Sequence, residues 1–204
     1  MRQQEFIGQY LIGYHGTDQS VVDRVLSGKA KHLEAGGLGH DWLGDGIYFW
    51  VDSPERAFAW ANERSRFPGS SITAPAAIGA VIQPGRCFNL TDFGAAQQLK
   101  GAYDHLKSAI EAAKKPMPVN TVRDKYGLYR KRALDCLVIQ TVHSLREEFG
   151  KPPYDSVLGV FEEGGEVFPG ASIKERSHIQ IAVRSLPCII GYFHVPMPTV
   201  GPAT

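Results

Sequence analysis

Little in this sequence names a chemistry outright. Cysteine is scarce: Cys87, Cys136 and Cys188 are far apart, three in number, and form no Cys-x-x-Cys pair. An odd count at that spacing builds neither a disulfide framework nor a zinc site, so buried reduced thiols and no metal centre are expected. An excess of one charge is lacking too. Lys and Arg number 22 against 21 Asp and Glu, so no overall field draws the chain to nucleic acid or to a membrane, and a nucleic-acid partner would need a local patch. No stretch reaches the roughly 18 uninterrupted apolar residues of a membrane span. Met1-Arg2-Gln3-Gln4-Glu5 has no apolar signal core, which makes the cytoplasm the expected address. The Walker loop, the G-x-G-x-x-G turn, the H-E-x-x-H helix and the G-x-S-x-G elbow are all missing, and with them several common enzyme classes.

What is present suits an ordinary globular chain. With 204 residues, 43% apolar and 21% charged, one domain over 1–204 with its own core is expected. Residues 9–14 read as a strand running into His15-Gly16-Thr17. Ser20-Val21-Val22-Asp23 then opens a short helix in capping-box style, with Gly28 as its stop. Residues 29–45 form a loop with glycines at 36, 37, 39 and 44, and a loop of that length and composition points to ligand contact. Gly46 to Val51 is the second strand. Ser53-Pro54-Glu55 starts a helix to Arg66 with Ser as N-cap and Pro at the first helical position.

Further strands are expected at 77–82 and 86–90, a helix from Asp92 to Lys114, and a second from about Tyr129 to Phe149. The latter carries a stripe of Leu134, Leu137, Val138, Thr141, Val142 and Leu145 at helical spacing. Strands at 155–161, 178–183 and 188–195 complete an α+β chain, and Pro196, Pro198 and Pro202 suggest a frayed tail.

Two stretches put polar side chains at strand edges beside glycines: Gly13-Tyr14-His15-Gly16-Thr17 and Gly46-Ile47-Tyr48-Phe49-Trp50. Bare backbone there lets a ligand approach closely, so His15, Tyr48 and the glycines would form a slot for a flat aromatic amide. Trp42, Phe49 and Trp50 read as core. Far downstream, Gln180 is the polar residue of an otherwise apolar strand, with His178 two positions before it and so on the same face.

Tyr14-His15-Gly16-Thr17, Gly46-Ile47-Tyr48-Phe49 and a late strand with one polar residue together resemble the ADP-ribosyltransferase family. The branch resembled is that of diphtheria toxin and the poly(ADP-ribose) polymerases, known by a His-Tyr-Glu triad. The likeness spans the element order from about residue 9 to 195. It implies a split, twisted β-sheet core with flanking helices and NAD as substrate, without a metal. His15 would hydrogen-bond the adenosine ribose and the Gly16 backbone the nicotinamide carboxamide, with Thr17 and Gly46 completing the cofactor-binding set. Tyr48 would stack on the nicotinamide and count among the catalytic residues with Gln180 and His178.

The chain departs from the family at Gln180, which stands where the catalytic glutamate is usual. A neutral amide cannot stabilise the positive charge that builds on the ribose, although it can still orient a hydroxyl. The resemblance then implies transfer of a single ADP-ribose to a macromolecular acceptor, RNA or protein, as in bacterial toxins and phage-defence effectors, with a neutralising antitoxin as a possible partner. His178 would be the general base toward the acceptor, or else a strand histidine bonded to a backbone carbonyl.

Loop 162–177 would recognise the acceptor, with Phe168 at a Pro-Gly turn as its aromatic contact. Glu163, Glu166 and Glu175 are candidates for the missing carboxylate, though each by itself reads as a solvated loop charge. Arg123, Lys125, Tyr126, Tyr129, Arg130, Lys131 and Arg132 form a basic, aromatic-rich patch, either a solvated helix start or a phosphate track. Two alternatives stand beside this reading. An RNA 2′-phosphotransferase also uses NAD but relies on arginines around its histidine, which His15 does not have in sequence. A non-catalytic NAD-binding or interaction module would account for the missing glutamate.

Overall fold

Strand alternation and helix-start chemistry are realised over most of the chain. In the computed structural model, which describes residues 8–196, the chain is α+β. The strands are β1 (Leu11–Asp18), β2 (Ile47–Val51), β3 (Pro75–Ile82), β4 (Cys87–Asn89), β5 (Asn120–Arg123), β6 (Tyr129–Arg132), β7 (Ser156–Phe161), β8 (His178–Val183) and β9 (Ile189–His194). The helices are α1 (Gln19–Leu26), α2 (Pro54–Ser65), α3 (Phe93–Ala112) and α4 (Ala133–Glu148). Seven strands make one mixed sheet in the order β4-β7-β8-β2-β1-β3-β9, and β5-β6 stand apart as a hairpin. β4 and β7 run parallel while the other neighbours in the large sheet are antiparallel.

The period-2 pleat decides which residues share a face. Ile47, Phe49, Ile78, Ile181 and Val183 pack with Val22 and Val25 of α1 on one face. On the other face, Tyr48, Val157, Phe161 and Ala182 pack with Val138, Ile139 and Val142 of α4. Trp50 and Ala77 pack there with Ala57 of α2. The face shared by α2 and α4 is therefore the one that carries Trp50 and Gln180, which are opposed in the β2–β8 ladder.

Several local expectations change. Asp18, at the end of β1, caps α1: its carboxylate accepts from Ser20 N at 3.0 Å and Ser20 Oγ at 2.6 Å. It also accepts from Thr73 N and Ala74 N, each at 2.8 Å. Those bonds favour the ionised form and hold its carboxyl far below the usual range. Ser53 makes no side-chain cap bond to α2, so Pro54 and Glu55 carry that helix start.

The helix expected from Tyr129 begins at Ala133, and the preceding residues form the β5–β6 hairpin. Asp124 makes its turn, accepting from Tyr126 N at 2.9 Å and Leu128 N at 3.0 Å ahead of Gly127 at φ 85°. Asn120 of β5 then caps α4 across space, its Oδ1 accepting from Leu134 N at 3.0 Å. The buried stripe of α4 is Cys136, Val138, Ile139, Val142, His143 and Arg146, while Leu137 turns outward. All three cysteines are free and buried. Pro198 and Pro202 lie outside the described residues.

Candidate functional site

β1 pairs with β3 along its whole length, from Leu11–Ile82 to Asp18–Pro75, but with β2 only at Gly13–Val51 and Tyr14–Trp50. The seam opens after Tyr14. Beyond it, His15 Nδ1 lies 2.7 Å from the Tyr48 carbonyl, so a side chain spans the place where a ladder bond would be. The carbonyl can only accept, so Nδ1 carries the hydrogen. Burial lowers the pKa of His15, with the Tyr48 bond pulling the other way, which leaves the ring neutral at pH 7.

Backbone groups alternate in direction along a strand. Ile12 turns its carbonyl to the β2 side, accepting from Asp52 N at 3.0 Å, so Gly16, four residues on, turns its N–H and C=O into the opened seam. Its missing side chain has another cause. A Cβ at Gly16 would sit 2.1 Å from Ala57 O, so glycine is what lets α2 lie on β1. Gly46, at φ 155°, likewise admits the Val183 backbone of β8, whose oxygen would lie 2.9 Å from an added Cβ. Thr17 is half-buried and paired with Ala76 of β3.

The rings of His15 and Tyr48 lie on opposite faces of the sheet. His15 meets Phe49 edge-on at 5.9 Å between centroids, and Tyr48 belongs to the α4 side. The Tyr48 hydroxyl donates to Gly44 O at 2.6 Å and accepts from Leu43 N at 2.7 Å. The phenol thus fixes the end of the glycine-rich loop and its own ring orientation together, and burial drives its pKa far up.

The second half of the site is charged and buried. By alternation, Trp50 and Tyr48 of β2, Gln180 and His178 of β8, and Phe161 of β7 share one face. Past Phe161 the ladder continues: Arg176 N donates to Glu163 O at 2.9 Å, which puts the Glu163 side chain on that same face. Glu163 is 6% exposed, so it is not the solvated loop charge expected of it. Its Oε2 accepts from Arg56 Nη2 of α2 at 2.8 Å and lies 3.7 Å from His178 Nδ1. Arg130 Nη1 stands 3.7 Å from Oε1. Glu166 and Glu175 are exposed and bond loop backbone, at Gly170 N and Gly165 N.

His178 Nδ1 donates to Arg176 O at 2.6 Å, leaving the buried Nε2 lone pair without a partner. Burial lowers the His178 pKa and Arg56 adds to that, against the raising influence of the Arg176 carbonyl and Glu163. Four buried polar atoms of this cluster have no hydrogen-bond partner: Trp50 Nε1, Arg56 Nε and Nη1, and His178 Nε2. Arg56 Cζ lies 5.4 Å from the Trp50 ring centre, and the Trp50 and His178 rings are 6.3 Å apart. Arg56 and Trp50 are the residues that sequence reasoning left out of the site. The available signal was a charge next to the alanine face of α2.

The acceptor-side candidates lie further out. Phe168 is exposed on its turn. The basic residues sit on the β5–β6 hairpin, partly engaged with their own aromatics: Arg123 is 4.3 Å from the Tyr129 ring centre and Arg132 3.9 Å from that of Trp42. Between hairpin tip and loop lies a cavity of about 360 Å³ lined by Tyr126, Leu128, Glu162, Gly164, Gly165, Glu166 and Lys174. Among the described residues no group of three or more His, Cys, Asp or Glu is placed to hold a metal ion, and no helix is long and apolar enough to cross a membrane. The chain matches no family model, no curated protein and no solved structure.

Proposed function

We propose that the chain is an NAD-dependent mono-ADP-ribosyltransferase acting on a macromolecular acceptor. The carrying observation is the seam between β1 and β2, whose pairing ends at Tyr14–Trp50 and which is bridged beyond by the His15 ring at the Tyr48 carbonyl. A carboxamide has one donor and one acceptor edge, and the outward N–H and C=O of Gly16 complement both. Tyr48, its ring held by the Leu43 and Gly44 bonds, supplies a fixed aromatic wall for the nicotinamide. A neutral His15 donates from Nδ1 to the protein and keeps Nε2 for a ribose hydroxyl.

Transfer breaks the bond between nicotinamide nitrogen and ribose carbon, with the electron pair leaving on the nitrogen. The acceptor attacks that carbon, and His178 Nε2 takes its proton. RNA or protein serves as acceptor, engaged by loop 162–177 and the basic hairpin. An effector of this kind in its own cell calls for a neutralising partner protein.

Incubation of the protein with isotopically labelled NAD and host lysate, read by mass spectrometry, tests this. A labelled macromolecule is expected, and its loss in His15→Ala and Tyr48→Ala. No label with the wild-type protein, or undiminished label in both variants, contradicts the proposal. A non-catalytic NAD-binding module is the second reading, favoured by the neutral amide at Gln180. Calorimetry that detects NAD binding without any nicotinamide release decides for it.

A further inference from the structure

We propose that Glu163 supplies the negative charge that strand β8 lacks, and is the catalytic carboxylate facing the ribose as its bond to nicotinamide breaks. This rests on the transferase reading above. Gln180 is neutral, so the charge has to come from elsewhere on the same sheet face.

Among the glutamates of loop 162–177, Glu163 is the buried one. The Arg176 N–H to Glu163 O bond carries the β7–β8 ladder one step past Phe161–His178, so Glu163 projects on the side of His178 and Gln180. Its carboxylate returns toward His178, 3.7 Å from Nδ1. That places it about one strand repeat, roughly 7 Å, from the row of Gln180. Gly164, at φ 85°, and Gly165 follow it directly and let the chain pass close under Glu175 and the Tyr126 ring, whose atoms would lie 3.2 Å from an added Cβ.

A buried ion pair is a costly way to hold two elements together, and an apolar pair of equal size generally does it at least as well. The Glu163–Arg56 pair is more than a clip for another reason. Around it lie the four unpartnered atoms, Trp50 Nε1, Arg56 Nε and Nη1, and His178 Nε2. Three are donors and the last is an acceptor when His178 is neutral. A guest bearing several hydroxyl or ether oxygens satisfies such a set, and the nicotinamide ribose is one.

The step balances as follows. The C–N bond breaks, its electron pair cancels the pyridinium charge, and the ribose carbon gains oxocarbenium character opposite the Glu163 carboxylate. The lone pair of an acceptor oxygen or nitrogen then bonds that carbon, and its proton passes to His178 Nε2. The products are nicotinamide, the ADP-ribosylated acceptor and one proton.

The test uses the full chain and measures nicotinamide release from NAD with the acceptor-containing lysate, alongside a thermal midpoint for each variant. Glu163→Gln is expected to lower kcat by about 100-fold, the usual scale for removing one group that stabilises developing charge, with KM for NAD within about threefold. Adding Gln180→Glu to that variant should restore at least about tenfold, because a carboxylate returns to the same face. A purely structural Glu163 would not be rescued from position 180.

Removing Glu163 alone leaves Arg56 buried and unpaired. Where that variant does not fold, Arg56→Met/Glu163→Gln replaces it, with and without Gln180→Glu. Activity of the carboxylate-free variant within threefold of wild type overturns the proposal, as does a folded variant that Gln180→Glu fails to rescue. A wild-type protein that releases no nicotinamide removes the transferase reading itself, a result distinct from either.

Discussion

The two halves of the site are built from different materials. At the β1–β2 seam, polar groups are satisfied by backbone: His15 by Tyr48 O, and the Tyr48 hydroxyl by Leu43 and Gly44. At the β7–β8 edge, charges are buried and polar atoms are left over around Arg56, Glu163 and His178. In the first region the side chains are satisfied and the open groups are the backbone N–H and C=O of Gly16; in the second the side chains themselves have bonding capacity to spare. A rigid cleft that holds and an unsatisfied wall that reacts is the division of labour expected when binding comes from shape and chemistry from preorganised charge.

Breaking one partner of the charged wall should be the most damaging change. Arg56→Met leaves the Glu163 carboxylate buried without its 2.8 Å partner and should destabilise the protein by about 3–5 kcal/mol, read by urea titration. Removing both charges together should cost less than Arg56→Met alone. At the seam, Gly16→Ala drives a Cβ against Ala57 O and should cost about 3 kcal/mol as α2 is forced off β1. Tyr48→Phe keeps the ring and leaves Leu43 N and Gly44 O unpaired, for a loss of about 2 kcal/mol, with weaker NAD binding because the ring is no longer fixed.

Protonation acts on both halves in the same direction. His15, His143 and His178 are all held below the ordinary histidine value by burial, His143 down to about 3. The unfolded chain therefore binds more protons below about pH 6.5, the unperturbed histidine value. The stability these residues allow is complete above that pH. It falls as the pH drops toward their folded values, over a window from about 6.5 to about 3 for His143. Thermal midpoints across pH 4–8 on the order of one-unit steps check this. For the same reason transfer through neutral His178 should stay flat from about pH 8 to about 6.5 and decline only below. A decline already complete at pH 7 would deny His178 the role of base.

Local chemistry made part of this legible in the sequence. Pro54 with Glu55, the Asp92 cap and the Gly46–Val51 strand depend on near neighbours, and the α2, α3 and β2 boundaries follow them closely. Most of what failed depended on distant residues; the α1 cap, read at Ser20, is Asp18 two positions earlier. Asn120 caps α4 from β5, so no cap signal stood before Ala133, and the hairpin's second strand, Tyr129–Arg132, was read as the start of the helix. Asp18 answers Thr73 and Ala74, 55 and 56 positions away. The motif glycines were legible as close approaches, but Gly16 also makes room for Ala57. Glu163 looked solvated because loop composition says nothing of a ladder that continues beyond the last strand residue. Extending the alternation of β7 by two positions would have turned it inward.

The central claim is that the nicotinamide half of NAD enters the seam between β1 and β2. Backbone amide NMR during NAD titration asks this without relying on catalysis. The account predicts saturable shifts at Gly16 and in the Leu43–Tyr48 segment, with the largest at the Gly16 N–H. Saturable binding that leaves Gly16 and Tyr48 unmoved, or no binding at millimolar NAD, would contradict it.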